Sequence, residues 1–72
     1  MLGNTSYVVK ADRQQIGEFD YPLDATAHVL HSRNQGERRE ITIERHTDRM
    51  YAGRTVSTTR EIIEHFPAAV KE

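Results

Sequence analysis

A chain of 72 residues makes one small domain with little room for a hydrophobic core. It has no cysteine, which rules out a disulfide staple and a cysteine-bearing zinc site, so an economical fold or a partner must supply the missing stability. Ten basic against eleven acidic side chains give a formal charge of -1, which argues against a generally basic nucleic-acid binder and against an acidic mimic of nucleic acid.

The opening stretch MLGNTSYVVKADRQ lacks the basic run and apolar segment of a secretory signal, and no apolar run is long enough for a membrane-spanning helix. A soluble, cytoplasmic protein is expected.

SYVVKA and IGEFDY, rich in β-branched and aromatic residues, read as two strands joined through DRQQ. Placing Val9 opposite Phe19 puts Tyr7, Val9 and Ala11 on one face with Gly17, Phe19 and Tyr21. It also sets Lys10 across from Glu18 on the other face, a favourable charge pair. A helix follows over about residues 24–34. Asp24 is its expected N-cap, Leu23, Ala27 and Leu30 with Val29 its apolar side, and Asn34 and Gly36 its C-terminal signals.

RREITIERH alternates, with Ile41 and Ile43 on one side and Thr42, Glu44 and His46 on the other. Thr47 and Asp48 are the expected turn, and RMYAGRTVS the returning strand. That reading places Met50, Ala52 and Val56 beside the isoleucines and Tyr51 on the polar side. Thr58 followed by Glu61 fits a capping box, and Ile62, Ile63 and Phe66 fit an apolar helical stripe ending at Pro67. Residues 1–5 and 68–72 are expected to fray.

The order is therefore β-β-α-β-β-α in a single α+β domain spanning 1–72, an antiparallel sheet with both helices on one face. A sheet wrapped round the first helix, with the last helix peripheral, is the alternative.

Charge is unevenly placed. Five of the eight arginines lie between residues 38 and 56, while both ends of the chain are acidic. Segments of opposite sign either neutralise one another within the fold or present the basic hairpin outward. Arg38, Arg39, His46, Arg49, Tyr51 and Arg54 are the residues expected to meet a partner, since arginine and tyrosine are favoured interface anchors.

No catalytic, metal or nucleotide motif is strong. His28 and His31 are three apart on the helix, but no spacing supplies a third ligand, and no cofactor is expected. The glycines are too scattered to cradle a phosphate. The expectation is a binding protein and not an enzyme: a regulator, inhibitor or adaptor of a larger protein, of the size and composition of phage and plasmid accessory factors. Homodimerisation is one version of this. A DNA- or RNA-binding regulator using the same hairpin is the alternative, weakened by Glu37, Glu40, Glu44 and Asp48 among the arginines. Third comes a metal-independent ribonuclease built from His46, Arg49 and Tyr51.

Overall fold

Five segments of regular structure follow one another in the computed structural model, which describes residues 2–69: β1 (Leu2–Ala11), β2 (Gln14–Phe19), α1 (Pro22–Asn34), β3 (Ile41–Tyr51) and β4 (Arg54–Phe66). The strands form one antiparallel sheet in the order β2-β1-β3-β4. The α+β class and the first five elements agree with the expected order. The expected second helix does not exist. Its residues are the C-terminal part of β4, which pairs with β3 along its whole length.

Both hairpins turn on two residues with positive φ. Asp12 (48°) and Arg13 (74°) join β1 to β2, and Ala52 (54°) and Gly53 (75°) join β3 to β4. A two-residue loop of this handedness matches the right-handed twist of the strands it joins. The second turn is thus not at Thr47–Asp48. A β-branched residue resists the left-handed region, which Gly53 enters freely. Thr47 and Asp48 sit instead in mid-strand, opposite Thr59 and Thr58, and Asp48 Oδ1 accepts a 2.8 Å hydrogen bond from Thr58 Oγ1.

The edge strands are bulged, β2 once and β4 twice, Val56 being the extra residue of β4 between the partners of Arg49 and Met50. Ile16 is the extra residue in β2, where Val9 faces Gly17 and Lys10 faces Gln15. Ile63 is the other extra residue in β4, between the partners of Ile43 and Glu44. A bulge lets residues three apart share a face. Ile16 with Phe19 and Ile63 with Phe66 accordingly pack on the same core. The expected face of the first hairpin is correct, but its register is off by two. Phe19 lies opposite Tyr7, and Glu18 lies opposite Val8 instead of Lys10.

The helix starts at Pro22, earlier than expected. Proline suits the first helical position because its ring presets φ and its missing N–H would have no partner there. Tyr21 is the N-cap residue without a side-chain cap, and Asp24 lies in the first turn, where its charge still favours the helix N-terminus. The buried side is Ala25 and Val29, not the expected Leu23, Ala27 and Leu30, which are exposed. The small residues bring the helix close onto Val9, Ala11, Ile41 and Ile43, all fully buried or nearly so.

Close approach is also visible at Gly17. A Cβ there would lie 2.8 Å from a ring carbon of Phe19 and 3.1 Å from His28 Cδ2. The His28 ring packs on Phe19 with centroids 5.1 Å apart, and its Nε2 donates to the carbonyl of Ile16 at 3.2 Å.

Val8 faces away from the helix yet is only 2 % exposed. In the register Val8 lies between Glu18 and Glu44, with Lys10 two residues along on the same face, and side chains of this length cover apolar neighbours with their aliphatic stems.

The molecule is long, with principal extents of 53 × 18 × 16 Å and a radius of gyration of 14.1 Å. A compact chain of this length would have a radius near 11 Å. The excess comes from β1, β3 and β4, which run on past the helix-covered half as an arm ending at Ala52–Gly53. Residues 2–5, expected to fray, belong to this arm and pair with Met50 to Thr47. At the other end the Ala69 N–H donates to the Arg38 carbonyl at 2.9 Å, while residues 70–72 of the expected loose tail lie outside the described residues. No helix among the described residues is long and apolar enough to cross a membrane.

Candidate functional site

The arm has two unlike faces, and the register assigns each side chain to one. On the side that carries the helix lie Tyr7, Arg45, Thr47, Arg49 and Tyr51, with Arg54, Ser57, Thr59 and Glu61 from β4 across from them. Arg45 is tied to Glu61 by a salt bridge. Arg49, opposite Ser57, and Arg54, opposite Tyr51, form no ion pair among the described residues. Tyr51 is 71 % exposed, and every residue from 51 to 60 is exposed. Two free guanidinium groups thus flank an open phenol ring near the tip, with no free carboxylate on that face of the arm.

The opposite face carries His46, Asp48, Met50, Thr58 and Arg60. Met50 therefore shares a face with His46 and not with Ile41 and Ile43, and Tyr51 is on the isoleucine side. Moving the turn from 47–48 to 52–53 reverses the assignment for the returning residues, because side chains alternate along a strand. His46, Arg49 and Tyr51, expected together, are divided between the two faces.

Below the arm on this second face, Glu44 organises a polar cluster. Its Oε1 accepts from His46 Nε2 at 2.9 Å and lies 3.4 Å from Lys10 Nζ. The His46 hydrogen bond, and after it Lys10, hold the Glu44 carboxyl below the usual carboxylate range. A shallow hollow of about 280 Å³ adjoins the cluster, lined by Lys10, Asp12, Thr42, Glu44 and Ile62 among others.

Arg38 and Arg39 lie in the α1–β3 loop, at the far end of the molecule from the tip. Arg38 is exposed. Arg39 is engaged internally. Its Nε and Nη2 donate to the two oxygens of Glu37 at 2.8 and 3.0 Å, and its Nη1 donates to Gln14 Oε1 at 3.0 Å. The Arg39 hydrogen bonds pull the Glu37 carboxyl down to about 2. The six residues expected to form one surface therefore occupy three places: the loop for Arg38 and Arg39, the helix-free face for His46, and the arm tip for Arg49, Tyr51 and Arg54. His28 and His31 do not share a site either, since His28 is turned onto the sheet and His31 is exposed.

Two features escaped the sequence reading. Arg33, in the last turn of α1, donates to the carbonyls of Glu37, Arg39 and Pro67 at 2.8, 2.9 and 2.7 Å. The other is β4 itself, a long outer strand paired on one side only among the described residues. Its run Thr58, Thr59, Ile62 and Ile63 is β-branched, and that signal for a strand competed with the capping-box pattern. No known protein family, characterised protein or solved structure matches the chain.

Proposed function

We propose that this chain acts by binding a larger protein in the cytoplasm, as a regulator, inhibitor or adaptor and not as an enzyme, and that the tip of its β3–β4 arm makes the contact. The observation that carries the reading is the gathering of Arg49, Tyr51 and Arg54 on one face of the projecting tip, exposed and without ionic partners among the described residues. Arginine and tyrosine anchor interfaces because each brings a large rigid contact area together with a polar end. The test is affinity capture from the source cells with the parent and with Arg49→Glu/Tyr51→Ala, followed by reconstitution with the purified partner. The reading expects the double substitution to weaken binding at least tenfold at unchanged fold, and equal affinity removes it.

A DNA- or RNA-binding role for the same face is the second reading. One placement favours it. Glu44 and Asp48, which interrupt the arginines in the sequence, lie on the opposite face, and Glu37 is held by Arg39. Binding of a short duplex or hairpin RNA that falls steeply with added salt would support it, and no binding at low salt would end it. A ribonuclease built from His46, Arg49 and Tyr51 gains no support from a register that separates them.

A further inference from the structure

We propose that two copies of this chain join edge to edge through β4, antiparallel about a two-fold axis at Thr59, to make one eight-stranded sheet. The two sheet edges differ in what they leave open. β2 is six residues long and bulged, and the carbonyl of its bulge residue Ile16 is taken by His28. β4 is 13 residues long and exposed over nearly all its length; it too is bulged, at Val56 and Ile63, but its regular run 57–62 is paired only with β3 among the described residues, so one row of backbone donors and acceptors there is unpaired. Such an edge templates another strand unless something blunts it.

The register of the join follows from symmetry. Antiparallel strands related by a two-fold axis set one residue opposite its own copy. The regular part of β4, residues 57–62 between its bulges, offers Thr59 or Arg60 as that centre. Arg60 would set two guanidinium groups against each other, an unfavourable pair. Thr59 sets hydroxyl against hydroxyl, and the pairs around it complement one another. Ser57 faces Glu61 of the second copy. Thr58, bonded to Asp48, faces Arg60, which has no ion pair among the described residues. Beyond the regular part, Val56 meets Ile62, the two exposed large hydrophobics of β4, at 59 and 62 % exposure as a single chain. Arg54 then meets Glu64, both on the helix side, so that in the joined pair the arm tip keeps Arg49 and Tyr51 for another partner. Each arm lies beside the helix-bearing half of the other copy, and both helices sit on the same face.

The join does not rest on the arm-tip reading, and the experiment separates them. Sedimentation equilibrium of the whole chain should give twice 8.3 kDa. Thr59→Lys should raise the dissociation constant at least tenfold, with circular dichroism unchanged. Arg54→Glu and Glu64→Arg should each weaken the dimer several-fold, and the double swap should restore it. Arg49→Glu/Tyr51→Ala should leave it intact. A parent chain that sediments as one copy at ~0.5 mM overturns the proposal, since a specific interface is well populated there. So does a dimer indifferent to Thr59→Lys, or one in which the double swap is no better than the single changes.

Discussion

Arg33 Nη2 donates to the carbonyl of Pro67 at 2.7 Å, joining the last turn of α1 to the end of β4 across 34 residues of chain. The same guanidinium donates through Nη1 to the carbonyls of Glu37 and Arg39, so one side chain fastens the helix C-terminus, the α1–β3 loop and the edge strand. A planar fork meets three carbonyls that a single ammonium cannot reach together. Arg33→Ala and Arg33→Lys should both lose about 2 kcal/mol, as charged hydrogen bonds of this kind are removed. Urea denaturation monitored by circular dichroism checks this, and full recovery by lysine would show that charge alone matters.

The outward stripe of α1 makes a second expectation. Leu23 is 82 % and Leu30 58 % exposed, while Val29 is fully buried against the sheet. Leu23→Ala and Leu30→Ala should each change stability by no more than ~0.5 kcal/mol, as surface substitutions do. Val29→Ala should cost about 2 kcal/mol, because it opens a cavity in a core with few members. The reverse order of effects would mean that the helix packs by its leucine side.

That contrast shows where the sequence was readable. Alternation gave β1, the first hairpin and the inward Ile41 and Ile43. The helix was legible at its C-terminal end, two residues late at its start and wrong by its face, since Leu23, Ala27 and Leu30 form a regular apolar stripe that the fold leaves outside. The last element failed for a different reason. Ile63 and Phe66 share a face at a spacing of three, which reads as a helix, and only the bulge at Ile63 reconciles it with a strand. The site was legible in composition only. Its residues were named from charge and type, but their grouping depends on which pair makes the turn. Ala52–Gly53 carries the glycine that a left-handed turn favours and Thr47–Asp48 does not, and choosing between them reverses the face of Tyr51.

Acid should weaken the fold through Glu44 and Glu37. Both carboxyls are held below their ordinary value in the folded chain, Glu44 by His46 and Lys10 and Glu37 by Arg39. A depressed folded value means that the contribution to stability is present above the ordinary carboxylate range and is lost as pH falls toward the folded value. Urea midpoints taken from neutral pH down to about pH 2 should fall for the parent and fall less for Glu44→Gln, whose deficit is largest at neutral pH. Parallel curves for the two chains would show that the His46–Glu44–Lys10 cluster contributes nothing to folding.

The tip of the arm tolerates one unfavourable residue. Ala52 has φ of 54° and Gly53 of 75°, and only the second is a residue for which this conformation is free of strain. A left-handed backbone costs an ordinary L-residue roughly 1–2 kcal/mol, and asparagine less than most because its short side chain bonds locally. Nothing lies within 4 Å of a Cβ placed on Gly53, so conformation and not crowding governs this turn. Ala52→Asn creates the Asn-Gly pair preferred in two-residue hairpins and should stabilise the fold by ~0.5–1 kcal/mol. Ala52→Val should destabilise it, since a β-branched side chain resists the same conformation. Thermal unfolding of the two variants beside the parent decides the matter. A higher midpoint for valine than for asparagine would move the turn away from Ala52–Gly53, and with it the face on which Arg49, Tyr51 and Arg54 meet.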